Sequence, residues 1–461
     1  MSGFSSLNIA LTALRAQQFA LDVTSHNIAN AGTEGYHRQE AIMVSGAALG
    51  GATALTGAAI IPLGTGVYVL GIRRAQTEFI DEQVRMSNQE SSMWNARSDS
   101  LSQIESMLGE PGNTGISAAF NNFWASWKEL SASPESLSAR TAVVETGTAL
   151  SDRIRTLYRN ISGLQNRINQ DVVSNVNQIN SIAHEIAKLN EECVSTDPAT
   201  QPNDLLDRRG ILIDQLSQIA RVQVSGGNGS ELMVCISGKT LIQGNQVTEL
   251  TTSADANGLD GVVWSDDSSA VRFIGGQIAG QIQMRDETIP AYLQSLNDIA
   301  QNLISRVNAI HSTGVTSGGG QAGNFFSGTN AANINIMSDL ASNPSLVATS
   351  TTGNAGDNTL AKAIADVQTE VLVDGITLGD AYSSLVSIIG AQSREASSQK
   401  ELLDLSNQQL TTQRESASGV SLDEEMVNMV KFQQAYNAAA RIVMVANDML
   451  DTIINRMGVG G

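Results

Sequence analysis

Three segments of the chain carry residue types at spacings that could do chemistry. His184-Glu-Ile-Ala-Lys188 begins as the helix of a zinc hydrolase does, with a histidine followed by a glutamate. Zinc there needs a second histidine one turn on, and Lys188 stands in its place, so the segment reads as one face of a helix. Gly318-Gly-Gly-Gln-Ala-Gly323 spells a dinucleotide-binding pattern, but it follows a helical stretch and opens no helix, so no N-terminus is offered to a pyrophosphate. Asp255, Asn257, Asp260 and Asp266 approximate a calcium loop; Leu259 occupies a ligand position and the glycine is shifted by one, which reads as a hairpin turn. The four histidines are scattered, and Cys193 and Cys235 form no motif. No catalytic residue, metal site or cofactor is therefore expected, and the chain reads as a non-enzyme.

The chain has 461 residues, too many for one core, and a hydrophobic share of 41%, enough for several. Aromatics are only 4%, so the cores must be packed by aliphatic residues on long helices. A net charge of −19 argues against a basic face for nucleic acid or anionic lipid. The uncharged stretch from Ala41 to Ile72 contains seven glycines and Pro62, which predicts loop and strand rather than a membrane span. Arg15 and Asp22 interrupt the N-terminal stretch inside a helical pattern, so no cleavable signal peptide is expected.

The strongest periodicity lies at the two ends. Leu7, Leu14, Leu21 and Ile28 repeat every seven residues, as do Leu422, Met429, Tyr436, Val443, Leu450 and Met457. Sustained sevens on helix formers predict coiled-coil pairing, and these ten residues are the expected assembly interface. Gln18, Ser25, Gln433 and Asn447 lie beside the stripes as polar candidates for setting register. The flanks carry Ile9, Phe19, Val23, Phe432, Val445 and Ile453, which one partner helix cannot cover, so neighbouring subunits are expected there. Ser421-Leu-Asp-Glu424 has capping-box spacing and starts the C-terminal helix. Inside the chain, Leu150 to Leu189 continues a four-three alternation with one phase slip, Leu293 to Ile310 makes another helix, and Asp380 to Arg414 a further one. Residues 221–286 are rich in Val, Ile, Thr and glycine turns; Val222–Val224, Leu232–Ile236 and Val271–Ile274 are the strand candidates.

The predicted fold is thus mixed, α-helical coiled coil plus a β-rich domain, with nested discontinuous domains. Residues 1–34 with 420–461 form a terminal coiled-coil domain. Residues 35–200 with 287–419 form a helical bundle with strands and loops, and 201–286 form a β-rich outer domain.

Ser6-Leu-Asn-Ile-Ala-Leu-Thr-Ala-Leu-Arg-Ala-Gln-Gln18, then Asn27-Ile-Ala-Asn30 and Thr33-Glu-Gly-Tyr-His-Arg-Gln39, resembles the N-terminal segment shared by bacterial flagellar rod, hook and hook-associated proteins. Gly419-Val-Ser-Leu-Asp-Glu-Glu425, Phe432-Gln-Gln-Ala-Tyr436 and Ala446-Asn-Asp-Met-Leu450 are similar to the matching C-terminal segment. Rod and hook proteins have Gly-Phe-Lys after the turn; Gly35-Tyr36-His37-Arg38-Gln39 is instead similar to the hook-associated branch that joins hook to filament. Gly64-Thr-Gly66-Val-Tyr-Val-Leu-Gly71, Asn203-Asp-Leu-Leu-Asp-Arg208 and Gly275-Gly276-Gln-Ile-Ala-Gly280 extend the likeness. Asn30, Thr33, Gly35, Tyr36, Arg38 and Gln39 form the family turn, in which Gly35 supplies the positive φ of a type II turn although Glu34 replaces the family's proline. The chain is short for this family, so its outermost, most variable domain is expected to be reduced or missing.

That resemblance implies a structural subunit of the flagellum at the hook–filament junction, polymerising through its terminal helices. It implies export by the flagellar secretion apparatus, without a cleaved signal, to an extracellular site. The implied partners are copies of itself in a helical ring, hook protein, a second junction protein or filament, and a cytoplasmic export chaperone at the C-terminal helix; nucleic acid and membrane insertion are not expected. The alternatives are another axial protein, hook or distal rod, or a cell-wall hydrolase of the rod tip.

Overall fold

The computed structural model describes residues 2–46, 64–112, 115–195, 202–226, 232–255, 258–373 and 375–452. In chain order the elements are α1 (Ser2–Ala29), β1 (Gln39–Ser45), β2 (Val67–Arg74), α2 (Glu78–Leu108), α3 (Ile116–Ala132), α4 (Leu137–Ser195) and α5 (Asn203–Ile219). There follow β3 (Val222–Ser225), β4 (Met233–Ile236), β5 (Lys239–Gln243), β6 (Gln246–Val247), β7 (Leu250–Ala254), β8 (Asp260–Trp264), α6 (Gln277–Gln283) and α7 (Ile289–His311). The rest are β9 (Phe326–Ser327), β10 (Asn335–Ile336), α8 (Ser338–Ser342), α9 (Thr359–Asp366), β11 (Val371–Val373), β12 (Ile376–Thr377), α10 (Leu378–Ser418) and α11 (Leu422–Asp451). Long helices with small antiparallel sheets in mid-chain are the mixed fold expected. Among the described residues no helix is long and apolar enough to cross a membrane.

The chain divides into two compact units, one of residues 1–88, 180–249 and 405–461, the other of 89–179 and 250–404. The second unit is built on apolar stripes. On α4, Leu150, Ile154, Leu157, Ile161, Leu164, Ile168, Val172, Val176 and Ile179 are all buried; the consecutive four-residue steps from 164 to 176 keep the stripe on one face where the spacing slips. On α7, Leu293, Leu296, Ala300, Leu303 and Val307 are buried likewise. The scarce aromatics gather here. Phe120, Phe123, Trp124 and Trp127 of α3 are buried, and Trp127 and His311 lie 5.3 and 5.5 Å from the ring of Phe325. Gly147 of α4 faces this cluster, where a Cβ would stand 2.8 Å from Ile336 Cδ1 and 3.1 Å from Phe325.

Side chains, not sheets, hold the loops after α7. Asn308 Oδ1 accepts from the backbone N–H of Phe325 and of Phe326, both at 2.8 Å, and its Nδ2 donates to Phe326 O at 2.9 Å. Buried Arg140 donates to the carbonyls of Pro134, Ser345 and Val347. The Gly318–Gly323 segment lies in these loops, with Val315 bridged to Gln321 and no helix opening on it.

The first unit holds the sheet β3-β4-β5-β6. Ser237 and Gly238, with φ of 52° and 83°, make the two-residue hairpin between β4 and β5. Val222, Val234, Ile236 and Ile242 face inward. Two expectations for residues 201–286 need correcting. The segment opens and closes with helices α5 and α6, because Leu206, Leu212, Ile213, Leu216 and Ile219 are spaced to bury one helical face. Val271–Ile274 is not a strand: Val271 N–H donates to Val262 O at 2.9 Å, and the chain then leaves through Gly276 to begin α6. The Asp255 loop is the connection of the β7–β8 hairpin, with Leu259 N–H donating to Asp255 Oδ1 at 2.9 Å.

His311 is fully buried, and its two nitrogens are assigned by their partners: Ala348 N–H donates to Nε2 at 3.1 Å, so Nδ1–H donates to Gly323 O at 2.7 Å. Burial among Trp127 and Phe325 lowers the imidazole pKa, against the opposing pull of Gly323 O. A histidine held neutral in the fold leaves the unfolded chain to bind the proton first. Stability of this unit should therefore be unaffected above about pH 6.5 and fall below it by up to about 1.4 kcal/mol per pH unit. Urea melts of the full chain between pH 7.5 and 5, compared with His311→Gln, should show a shallower acid slope in the variant.

Candidate functional site

The residues where the two chain ends meet form a buried polar junction in the first unit. Helix α1 stops at Ala29, and Asn30 Nδ2 caps it by donating to His26 O at 3.0 Å. The chain then reverses through Thr33–Tyr36, with Tyr36 N–H donating to Thr33 O at 3.2 Å and Thr33 Oγ1 reaching Asn30 Oδ1 at 3.3 Å. Gly35 has φ of 73°, the left-handed conformation of the third position of a type II turn. A Cβ there would also stand 2.5 Å from Ile211 Cγ1, so glycine is required for conformation and for contact with α5.

The turn returns the chain to Asn27, which is 1% exposed and uses its full hydrogen-bonding capacity. Its Oδ1 accepts from Tyr36 Oη and from Gln39 N–H, both at 2.9 Å. Its Nδ2 donates to Gln39 O at 2.9 Å and to Glu425 Oε2 at 3.1 Å. Because the Tyr36 proton is spent on Asn27, His26 Nδ1 is the donor in its 3.0 Å contact with the Tyr36 oxygen. Burial, then the carboxylates of Asp204, Asp207 and Glu425, push the Tyr36 phenol far above its ordinary value, so it stays neutral and donates.

Arg38 and Glu425 join the two ends. The Glu425 side chain is 2% exposed, with Oε1 2.8 Å from Arg38 Nε; Arg38 Nη1 also reaches Glu424 at 3.2 Å. The backbone N–H of Arg38 donates to Ser418 O at 2.9 Å, so one residue holds the end of α10 and the start of α11. Ser421 caps α11 by accepting from Glu424 N–H, as the capping-box spacing predicts. Beside this, Asp207 of α5 accepts from His37 N–H at 3.1 Å, from His37 Nδ1 at 2.8 Å and from Arg74 Nη1 at 2.9 Å. Gln39 Nε2 donates to Asp204 at 3.2 Å. The junction opens on a 720 Å³ cleft, on whose wall Asp214 pairs with both Arg85 and Arg414.

Asn27 meeting Glu425 sets the end of α1 against the start of α11, so the two helices pack antiparallel. The large residues of the sevenfold stripes do not make the deepest contact. Leu7, Leu14, Leu21, Ile28, Met429, Val443 and Leu450 are half-buried, Leu422 and Tyr436 are exposed, and Met457 lies outside the described residues. The fully buried positions of α11 are Glu425, Ala439 and Ala446, and α1 buries Ala10, Ala16, Ala20, Val23, Thr24 and Asn27. The period is as expected, with small residues at the closest approach and large ones on its flanks. Gln18, Ser25, Gln433 and Asn447, the candidates for setting register, are all exposed; Asn27 and Glu425 occupy buried positions instead. Phe19 and Val445 are exposed as flank residues, Ile9 and Phe432 are half-buried, Val23 is buried, and Ile453 lies outside the described residues.

Asn30, Thr33, Gly35, Tyr36, Arg38 and Gln39 are all brought together here. Sequence reasoning did not assign the partners Asn27, Arg74, Asp204, Asp207 and Glu425; the only signal for Asn27, Asp204, Asp207 and Glu425 was membership of quoted motifs, since 398 positions separate Asn27 from Glu425, and Arg74 had none. No group of three His, Cys, Asp or Glu among the described residues is arranged to hold a metal ion, and His184 pairs with Glu249 at the surface.

Comparison with known proteins locates three matching regions. Residues 101–326 match the family model for the flagellar hook-associated protein FlgK helical domain. Residues 7–37 match that for flagella basal body rod protein, and 412–457 that for flagellar basal body rod FlgEFG protein C-terminal. The chain is 31% identical to flagellar hook-associated protein 1 of Bacillus subtilis, covering 100% of this chain and 99% of that one. It is 25% identical to the Escherichia coli protein of that name, covering 98% and 99%. These alignments run to 505 and 551 positions against 461 residues here, so the relatives carry insertions this chain lacks. In fold, the chain is similar to the flagellar hook junction protein FlgK from Burkholderia pseudomallei, with a TM-score of 0.65 at 17% identity over 74% of this chain and 100% of that one.

Gly35→Ala should destabilise the first unit by about 2–4 kcal/mol, part from the positive φ and part from the clash with Ile211. In an Ile211→Ala background the steric part disappears, so Gly35→Ala should cost only about 1–2 kcal/mol relative to Ile211→Ala alone. Urea melts, with hydrogen exchange over residues 31–39 to localise the loss, check both.

Proposed function

The chain belongs to the flagellar hook-associated protein 1 family, and from that premise we propose that it polymerises through the α1–α11 pair as the structural joint between hook and filament. The family is a structural one, and the chain is a flagellar component. The observation that carries the reading is the uncovered face of the pair. Met426, Val427, Val430, Ile442, Met444, Val445 and Met449 are each more than half exposed on α11, with Leu11 and Phe19 exposed on α1. Covering the remaining half of those seven α11 side chains is worth on the order of 5–10 kcal/mol gross per subunit. A soluble chain keeps so much contiguous apolar surface only where another surface covers it.

The finer parts of the reading follow from the family. Residues 1–34 with 420–461 act as the innermost domain of a ring of identical subunits. Hook protein lies on one side of that ring, and a second junction protein or filament on the other. The apolar face of α11 is what an export chaperone would shield in the cytoplasm before the chain leaves, unfolded and uncleaved, through the flagellar export channel. The protein is not an enzyme; its work is mechanical. A strain lacking it should build hooks and shed filament subunit into the medium; arrest before the hook would favour a rod role, and normal filaments would exclude a junction role.

Met444→Asp and Met449→Asp separate assembly from folding. Both side chains are exposed in the single chain, so melting of the purified protein should move by less than about 0.5 kcal/mol. In the polymer each carboxylate is buried unpaired, which costs several kcal/mol and should cut incorporation by roughly a hundredfold or more. Thr452→Asp, at the end of α11, is the control. Immunoblots of sheared flagella from a complemented null strain give the readout.

A further inference from the structure

The α1–α11 contact poses a problem that its apolar residues do not solve. Its seam on α11 runs through Ala439 and Ala446, seven residues apart, and the half-buried flank through Met429, Val443 and Leu450, fourteen and seven residues apart. A slip of one heptad puts Ala439 in the seat of Ala446 and Val443 in that of Leu450. On α1 the buried alanines Ala10, Ala16 and Ala20 are again small, and the half-buried Leu7, Leu14 and Leu21 repeat in sevens. Alanines are flat and interchangeable, so packing alone distinguishes such registers weakly.

One seam position is different. Glu425 is the charged residue that α11 buries, and it has a counter-ion and a donor in one register: Arg38 Nε on Oε1 and Asn27 Nδ2 on Oε2. A heptad slip moves it roughly 10 Å along the helix, away from both. The carboxylate would then sit against apolar side chains, with Arg38 left half-buried and without it. Asn27 cannot follow, because Tyr36 and both backbone groups of Gln39 hold its amide in place. Arg38 cannot follow either, because its own N–H is bonded to Ser418 O and its carbonyl to Ala75 N–H.

We propose that the Asn27–Arg38–Glu425 knot is the register pin of the terminal helices, selecting one alignment of α1 on α11 among several that packing would accept. The consequence for the flagellum rests on the assembly reading above: a ring of identical subunits needs every terminal pair to present its outer face at the same height. The pin costs stability relative to an apolar seam and contributes uniqueness, as buried polar groups do in paired helices.

The test exchanges the ions for apolar groups. Leu11 and Ile442, both exposed, stand at about the same distance, roughly 24 Å, from the Asn27–Glu425 contact, and serve as spin-label sites after change to cysteine. Cys193 and Cys235 are changed to alanine in the same full-length chain. Pulsed electron resonance on the unaltered pin should give one narrow distance. Arg38→Met with Glu425→Met should keep or raise the melting temperature, split or broaden the distance distribution by a heptad step, and lose incorporation into flagella. A single unchanged distance in the double variant overturns the proposal. So does a variant whose terminal helices come apart, since the knot then supplies stability rather than register, and so does a broad distribution in the unaltered chain. A slipped variant that still incorporates normally supports the pin and counts instead against assembly through α1 and α11.

Discussion

Glu425 is a carboxylate taken almost wholly out of water at the first turn of the last described helix, and the arrangement of the first unit follows from what it needs there. A buried charge is tolerable only when paired and hydrogen-bonded. Its partners come from the other end of the chain: Arg38 just beyond the N-terminal turn, and Asn27 in the last turns of α1. To be available, Asn27 must be held by Tyr36 and Gln39, which demands the reversal at Gly35, which in turn demands the bare face of Gly35 against Ile211. Arg38 carries the same constraint to α10 through Ser418. Closing one electrostatic requirement therefore positions α1, β1, α5, α10 and α11 together.

The division of labour between small and large apolar residues gives that arrangement its use. Where α1 and α11 meet, alanines let the backbones come close, and they contribute little area each. Most of the bulky side chains of the terminal helices are left half-buried on the flanks or exposed outward. In a monomer this is a poor way to spend hydrophobic surface. Under the assembly proposed above it is economical, since neighbouring subunits would cover the same surface. The polar knot and the apolar exterior are thus complementary: one defines the shape of the pair, and the other is the surface proposed above to be covered on assembly.

The second unit is organised on the opposite plan. Its stripes on α4 and α7 are buried almost throughout, and its aromatics are gathered against α3 and the loops that follow α7. Those loops have little sheet to hold them. Asn308, Arg140 and His311 bond their backbone groups directly and so serve as a buried polar framework for them. A body of this kind resists rearrangement, because close-packed interiors are stiff.

Much of this was legible in the residues alone. Period seven at both ends, the four-three stripes of α4 and α7, the capping box at Ser421 and the positive φ at Gly35 are local properties: each depends on spacing along one element or on the stereochemistry of one residue. The strands at Val222 and Leu232 belong to the same class. What the sequence left undetermined is non-local. Hydrophobicity marks the large residues Leu14, Leu21, Val443 and Leu450 as the seam, yet closest approach is a property of two backbones, and it favours Ala16, Ala20, Ala439 and Ala446. The polar residues spaced to set register, Gln18, Ser25, Gln433 and Asn447, point to solvent, while Asn27 and Glu425 take that place because the turn at Gly35 brings Arg38 beside them. Helix α5 likewise opens the segment expected to be β-rich, and Val271–Ile274, expected as a strand, runs as irregular chain into α6. Spacing along the chain determines which residues share a face; only the folded chain decides which face meets which, because burial of Glu425 is paid for by groups hundreds of residues away.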